Sequence, residues 1–577
     1  MAKDYQKEYR YWLEHELADD ATKEELRAIK DDESEIEDRF YRDLDFGTAG
    51  LRGILGVGSN RMNNYTVRRT AQGIANYINS EGSDKAKRGV VIAYDCRHFS
   101  QEFAMESAKV FAANGIKAYL FDEMMPTPIL SFAVRYLKTF AGVMITASHN
   151  PAKYNGYKVY GEDGAQLGVA PSKYVMGYIE KMDIFSGAKT VSEEEGKRSG
   201  LIEMVGREVV SAFLSEVIKC SINPDVIQKA AEDFKIVYTP FHGTGYKAVC
   251  EILQMAGFKN VYPVPEQVVV DPNFSTVKSP NPEDKEGFAL AITMAKEIGA
   301  DIIIGTDPDS DRIGVLAKNE TGDYDVLTGN QTGELLTDYV LSEKSARGEI
   351  AKGDYIVKTI VTTDLVKKIA AEFGVDVYDV FTGFKNIAEV IKIKEGKNEG
   401  EYLFGFEESY GYLPGTYARD KDAVAASLLA CEMALVYKTR GVGLKEALLN
   451  LYKKYGCFVE RTVSVVMEGA DGMEKMAALM ESVANHPPKE LGGVKFTALR
   501  NYKTQTRYDF ETGNEDKIDM VSTNVLYFEL SGGGFFIIRP SGTEPKIKFY
   551  YSIPAESLDA GEAKIELIDA AAKKAFL

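Results

Sequence analysis

Three aspartates alternate with other residues in Gly305-Thr306-Asp307-Pro308-Asp309-Ser310-Asp311-Arg312, directly after the apolar run Asp301 to Ile304. Carboxylates at that spacing repel one another unless a cation sits among them, and hard oxygen donors select Mg²⁺ or Ca²⁺. An EF-hand does not fit, because Arg312 falls where the turn glycine belongs and Lys318 where the bidentate glutamate belongs. The pattern reads as a loop for one Mg²⁺ with room for a phosphate oxygen, against the bland alternative of a solvated acidic loop. A second loop, Thr146-Ala147-Ser148-His149-Asn150-Pro151, follows the run Ala141 to Ile145. Ser148 there is either a turn residue bonding nearby backbone or a nucleophile and phosphate carrier. Its flanks do not form the GxSxG elbow, which argues against acyl transfer.

Three further loops carry polar chemistry at strand ends. Thr382-Gly383-Phe384-Lys385 and Gly405-Phe406-Glu407-Glu408-Ser409 offer ligands for sugar hydroxyls, or plain surface turns. Arg539-Pro540-Ser541-Gly542-Thr543-Glu544-Pro545-Lys546 combines a guanidinium fork, two hydroxyls and a free glycine amide, the components of a phosphate cradle.

The elements that must position these loops follow from periodicity. Val90 to Tyr94, Ile116 to Phe121 and Ala141 to Ile145 read as buried strands, separated by a helix from Ser100 as its cap to Asn114 and by a helix over Pro126 to Leu137. That is βαβαβ, hence an α/β unit with a largely parallel sheet. The rhythm returns with strands Lys235 to Thr239, Asn260 to Val264 and Asp301 to Ile304, and again with Tyr355 to Ile360, Val375 to Phe381 and Tyr402 to Phe406. The tail changes character: Asn524 to Leu530, Phe535 to Ile538 and Lys546 to Ile553 read as antiparallel hairpins before a helix from Ser557. The fold class is therefore α/β, with three consecutive mixed or parallel α/β domains and a smaller α+β C-terminal domain. The expected boundaries are 1–205, 206–320, 321–445 and 446–577.

A chain of 577 residues is too long for one core. A formal charge of −18 repels nucleic acid, and no basic patch offsets it. The longest apolar runs are strand-length, far short of the roughly 18 residues a membrane span needs. Cys96, Cys220, Cys250, Cys431 and Cys457 are scattered, as free thiols in a reducing compartment would be. With no secretion signal read at the N-terminus, the expected location is cytoplasmic, with neither nucleic acid nor membrane as partner.

Taken in order, Thr-Ala-Ser-His-Asn-Pro, Asp-Pro-Asp-Ser-Asp-Arg, Gly-x-Glu-Glu-Ser and Arg-Pro-Ser-Gly-Thr-Glu-Pro resemble the α-D-phosphohexomutase superfamily over nearly the whole chain, and within it the longer phosphoglucomutases. The resemblance implies a four-domain, heart-shaped isomerase with a central cleft. It implies Ser148 as the phosphoserine, and Asp307, Asp309 and Asp311 holding Mg²⁺ together with the Ser148 phosphate oxygen. Arg312 would bond near the transferring group. Glu407 and Ser409, helped by Thr382 and Gly383, would read sugar hydroxyls. Arg539, Ser541, Gly542 and Thr543 would grip the phosphate that is not reacting. Thr48 and Arg52, in Phe46-Gly47-Thr48-Ala49-Gly50-Leu51-Arg52, would belong to an N-terminal active-site segment. His149, Lys158 and Lys421 match positions for proton transfer or phosphate contact.

The implied reaction converts glucose 1-phosphate to glucose 6-phosphate, primed by glucose 1,6-bisphosphate, with a hinge near Gly441 to Tyr455 opening the cleft. Phe406 between Gly405 and the Glu pair, and the Phe-Gly-Thr-Ala-Gly segment, leave mannose, glucosamine and pentose phosphates as alternative substrates. Two rivals stand outside mutase chemistry: a Mg²⁺-dependent phosphatase with Asp307 as nucleophile, and a silent sugar-phosphate binding protein.

Overall fold

The computed structural model describes residues 3–47, 50–467, 472–541 and 546–576. The first loop-bearing sheet has six strands in the order Gly50–Ile54, Tyr154–Gly161, Ala141–Ile145, Val90–Tyr94, Ala118–Phe121 and Ile202–Val205. The last four run parallel, as βαβ connections require, while Tyr154–Gly161 is antiparallel to both of its neighbours. Strands buried on both faces are continuous apolar runs, and Val90–Tyr94 and Ala141–Ile145 are buried at every position. Val90, Ile92, Val143, Ile145 and Val159 pack there against Ile74, Phe103 and Phe111. Each such side chain contributes about 1.5–3 kcal/mol on leaving water.

Ser100 does not cap its helix as expected. Phe99, at φ 63°, precedes Ser100–Ala113, and the Ser100 hydroxyl donates instead to Asp95 at 2.7 Å. The other end agrees with the sequence, since Gly115 at φ 72° takes the left-handed position that stops the helix. Ahead of this sheet lie three short helices, Tyr5–Glu14, Asp20–Ala28 and Glu33–Phe40. Asp4, Asp19 and Asp32 each accept the N–H three residues on, which satisfies donors left open in the first turn. Their Trp12, Leu26 and Phe40 form a separate core with Tyr65.

The second sheet runs Tyr324–Val326, Ile313–Lys318, Ile302–Thr306, Lys235–Thr239 and Asn260–Pro263. Ile302–Thr306 pairs antiparallel with Ile313–Lys318. The aspartate loop is thus the connection of a hairpin, not the strand-to-helix turn of a parallel sheet. Tyr402–Glu407 pairs antiparallel with Gly411–Leu413.

By compactness the chain forms two units, residues 1–329 with 383–444, and residues 330–382 with 445–577. The expected third domain, 321–445, is thereby divided between them, and the junction after Leu444 falls inside the expected hinge segment. The second unit holds the parallel pair Tyr355–Thr359 and Asp376–Val380, and an antiparallel sheet that includes Cys457–Val466, Lys546–Ala555, Phe535–Pro540, Leu526–Leu530 and Val494–Asn501. Tyr502, Tyr527, Phe535 and Ile537 pack with Ile360 and Val361 in its core. Three α/β segments followed by a β-rich C-terminal segment agree with the fold class read from the sequence. Among the described residues, no helix is long and apolar enough to cross a membrane.

Candidate active site

Within the first unit, the ends of two antiparallel connections meet. Ser148 follows Ala141–Ile145 and adopts φ 52°, the left-handed region that non-glycine residues enter rarely. Its N–H donates to Thr146 Oγ1 at 2.9 Å, and its Oγ donates to Asp307 Oδ2 at 2.7 Å. The hydroxyl has one proton and that proton is committed to Asp307, so the 3.2 Å contact to His149 Nδ1 needs the tautomer protonated there. Burial, then the positive charge of Arg312, pulls His149 down to about 3, so its ring is neutral at physiological pH.

Asp307 Oδ1 organises its own loop, accepting the N–H groups of Asp311 at 3.1 Å and Arg312 at 3.0 Å. Asp309 Oδ2 accepts from Thr127 Oγ1 at 2.9 Å and Lys158 Nζ at 2.7 Å. Asp311 Oδ2 lies 3.3 Å from Lys158 Nζ and 3.2 Å from Lys421 Nζ. Asp309 Oδ1 and Asp311 Oδ1 are buried and have no hydrogen-bond partner. One oxygen from each carboxylate lies within 4.8 Å of the others. Three buried carboxylates whose oxygens lie this close together, two of those residues keeping an oxygen without a partner, are the donor set of a hard divalent cation, so the chain fits Mg²⁺ here.

Electrostatics separate the three acids. Burial and the charges of Asp309 and Asp311 push Asp307 well above the carboxylate range. Burial opposes ionisation of Asp311 too, but Lys421, Lys158 and Arg312 outweigh it and hold the group low. Burial acts against the two ammonium groups, yet Asp309 and Asp311 around Lys158, and Asp311 and Asp420 around Lys421, raise both above the ordinary lysine range. Lys158 and Lys421 are therefore cations at neutral pH. Asp420 Oδ1 steadies Lys421 at 3.1 Å, while Asp420 Oδ2 accepts from Tyr160 at 2.8 Å. Gly411 leaves the lysine its space: a Cβ there would stand 2.0 Å from Lys421 Cδ.

Arg312 has its Nη1 3.8 Å from Glu283 and its Nε 3.8 Å from Asp311. Arg52 is exposed on strand Gly50–Ile54, opposite Gly156. Glu407, buried at the end of Tyr402–Glu407, accepts the Gly383 N–H at 2.7 Å, while Ser409 lies partly exposed in the turn that follows.

The structure thus gathers Ser148, His149, Lys158, Asp307, Asp309, Asp311, Arg312 and Lys421 in one place, and pairs Glu407 with Gly383. Thr382, Arg539 and Ser541 belong to the second unit, where Arg539 Nη1 lies 3.4 Å from the Tyr550 hydroxyl and the Ser541 N–H donates to Lys546 O at 2.8 Å. Thr48, Gly542 and Thr543 lie outside the described residues. Sequence reasoning missed Thr127, Asp420 and the buried pair Asp95 and Arg97. Asp95 and Arg97 follow a buried strand and were open to the same strand-end rule that found the other loops. Nothing local marks Thr127.

Fold and site together define an α/β enzyme arranged for phosphoryl transfer. Family models match three segments, described as phosphoglucomutase/phosphomannomutase α/β/α domain I over residues 43–183, domain II over 211–322 and domain III over 328–455. A phosphoglucomutase of Staphylococcus haemolyticus is 38% identical over 91% of this chain and 92% of its own length. One of Staphylococcus aureus is 37% identical over 94% and 95%. The chain belongs to the phosphoglucomutase/phosphomannomutase family. Its fold is shared with parafusin, a phosphoglucomutase of Paramecium, in the open form (TM-score 0.69, 18% identity, 92% of this chain and 96% of that one). A family protein of Burkholderia thailandensis aligns at TM-score 0.64 and 18% identity, covering 92% and 97%.

Proposed function

We propose that the chain is an isomerase that interconverts α-D-glucose 1-phosphate and glucose 6-phosphate in the cytoplasm, with phosphorylated Ser148 as the carrier and glucose 1,6-bisphosphate as primer and intermediate. The observation that carries this reading is the 2.7 Å bond between Ser148 Oγ and Asp307, beside two further buried carboxylates. The phosphoryl group on Ser148 Oγ passes to the sugar O6: the bond from phosphorus to the serine oxygen breaks, the bond to O6 forms, and the proton lost by O6 is balanced by the one that Ser148 Oγ takes up. The bisphosphate turns end for end and returns its other phosphoryl group to Ser148, releasing glucose 6-phosphate.

Asp307, Asp309 and Asp311, with a phosphate oxygen on Ser148, would hold Mg²⁺, which when bound neutralises charge spreading over the transferring group. Arg312, Lys158 and Lys421 add fixed positive charge around the same oxygens, and such preorganised groups need no rearrangement as the reaction proceeds. His149, neutral, positions the Ser148 oxygen through Nδ1. Glu407 and Ser409 read sugar hydroxyls, with the Gly383 N–H holding Glu407 in place and Thr382 alongside in sequence. Arg539, Ser541, Gly542 and Thr543 bind phosphate, and Thr48 and Arg52 serve the N-terminal segment of the site.

The test compares turnover on glucose 1-phosphate, mannose 1-phosphate and ribose 1-phosphate, each primed with the matching bisphosphate, alongside mass spectrometry of the working enzyme. Fastest turnover on the glucose ester with phosphate on Ser148 is expected. Preference for another sugar overturns the substrate. Steady release of inorganic phosphate from an enzyme unmodified at Ser148 overturns the reaction.

A further inference from the structure

Arg97 follows strand Val90–Tyr94 and takes no part in the chemistry above. Its side chain and that of Asp95 are wholly buried. The guanidinium spends its Nη donors on one loop: Nη1 donates to Pro151 O and Tyr154 O, both at 3.0 Å, and Nη2 donates to Ser148 O and Asn150 O. Its Nε lies 3.2 Å from Asp95 Oδ2, an ion pair in which the N–H is not aimed at the oxygen. Asp95 Oδ1 in turn accepts the Arg97 N–H at 2.9 Å and the Ser100 hydroxyl at 2.7 Å.

Arg97 Cζ lies over the ring of Phe274, 5.0 Å from its centre; Phe274 is a buried residue at φ 53° in the segment before the second sheet's aspartate hairpin. Two further contacts cross the same seam: His98 Nε2 meets Asn273 Oδ1 at 2.9 Å, and Ser279 Oγ donates to His149 O at 3.4 Å.

A charge buried this deeply is expensive unless it is paired and hydrogen-bonded, as Arg97 is by Asp95 and four carbonyls, and a planar fork reaching four carbonyls at once is what an ammonium point charge cannot reproduce. The loop it holds carries a serine in a left-handed conformation, which persists only where surrounding structure enforces it. We infer that Arg97 is a positioning residue for phosphoryl transfer: by gathering the carbonyls of Ser148 to Tyr154 and stacking on Phe274, it holds Ser148 Oγ in register with Asp307. The inference rests on Ser148 being the carrier. Among the described residues, no hydrogen bond joins Glu407 or Gly383 to this loop, so losing the register slows transfer and spares sugar recognition.

The experiment uses the full chain with Mg²⁺ and glucose 1,6-bisphosphate, in the variants Arg97→Lys and Phe274→Leu. It measures kcat, KM, the fraction folded, and the single-turnover rate at which the bisphosphate rephosphorylates Ser148. Misplacing a reacting group by an ångström costs about 100-fold, so Arg97→Lys should lose about that factor in kcat and in the rephosphorylation rate, with KM within about twofold. Phe274→Leu, which keeps apolar volume but loses the stacking face, should lose about tenfold in the same two quantities. Wild-type kcat per folded molecule in Arg97→Lys overturns the proposal, as does a fall in kcat matched by an equal rise in KM. Should Arg97→Lys fail to fold, Phe274→Leu decides, and unchanged kcat there overturns it. A wild-type enzyme that turns over without phosphate on Ser148 removes the carrier reading and this proposal with it. Phosphorylated wild type with unaffected variants removes only the proposal.

Discussion

Thr127 binds Asp309 twice, its backbone N–H donating to Asp309 O at 2.8 Å and its hydroxyl to Asp309 Oδ2 at 2.9 Å. Thr127 opens helix Thr127–Tyr136 directly after Pro126 and is fully buried. The first turn of a helix in one sheet's layer thereby fixes a carboxylate carried by the other sheet. With Lys158 on the same oxygen, Asp309 keeps Oδ1 without a hydrogen-bond partner among the described residues, in a cluster where one oxygen of each acid lies within 4.8 Å of the others.

Thr127→Val removes the hydroxyl at nearly constant volume. A buried carboxylate oxygen loses a neutral donor, which costs about 1–3 kcal/mol of stability. Groups that orient metal ligands also typically account for about 10-fold to 100-fold in metal affinity, so Mg²⁺ binding should weaken by about tenfold. Chemical denaturation and calorimetric titration with Mg²⁺ measure the two effects, and Thr127→Ser should restore both. Unchanged Mg²⁺ affinity in the valine variant would remove Thr127 from the metal loop's support.

Ser148→Ala should abolish mutase turnover by about 10⁴-fold or more, since removing a nucleophile leaves only what binding and electrostatics supply. The carboxylates are untouched, and Asp307 Oδ1 still holds the loop through the Asp311 and Arg312 N–H groups, so Mg²⁺ titration should remain near that of unphosphorylated wild type. Substantial residual flux from glucose 1-phosphate to glucose 6-phosphate, measured with a coupled dehydrogenase, would count against the phosphoserine.

The strand-end rule located Ser148, the aspartate loop and Glu407 because each follows a continuous apolar run, a local signal independent of tertiary context. It missed strand Tyr154–Gly161, which carries Asn155 and Gly156, residue types depleted in strands. Gly156 is needed for close approach instead, since a Cβ there would stand 2.5 Å from Thr146 O. That strand delivers Lys158 to the acids, so the lysine's position was legible only through the resemblance. The hairpin around Asp307 to Arg312 was likewise invisible, because pairing between Ile302–Thr306 and Ile313–Lys318 is a property of register and not of composition. The division of 321–445 between two compact units depends on contacts distant in sequence, which no window of residues encodes.

Removing divalent cations should leave a folded enzyme with greatly reduced turnover, restored by Mg²⁺. A readout independent of activity comes from linkage: a ligand bound only to the folded state stabilises it by about 2.7 kcal/mol at a concentration of 100 times Kd. Stripped enzyme should therefore show a rise in unfolding temperature on adding Mg²⁺. Asp309→Asn, which withdraws a negative oxygen from the cluster, should lose most of that rise. An undiminished Mg²⁺ shift in the asparagine variant would place the cation elsewhere.

Asp422 gives a pH dependence of stability separable from catalysis. It is fully buried at the start of helix Ala423–Thr439, and Oδ1 accepts the N–H groups of Val424 at 2.8 Å and Ala425 at 3.1 Å. Burial raises its carboxyl from 3.8 to about 6, although the Tyr417 hydroxyl and those two amides pull it down. The folded state therefore holds this proton more tightly than the unfolded chain does. The group's contribution to stability is greatest below the unfolded value, falls as pH rises through the window from 3.8 to about 6, and is level above it. Asp422→Asn keeps an oxygen to cap the helix and cannot ionise, so its stability lacks this slope. The gap between variant and wild type should shift in the variant's favour across that window by at most about 3 kcal/mol, since a pKa displaced by about two units is worth about 1.4 kcal/mol per unit. Urea unfolding of both proteins at about pH 4 and about pH 7 reads the difference directly. Parallel stability profiles for the two proteins would show that Asp422 does not release its proton within this window.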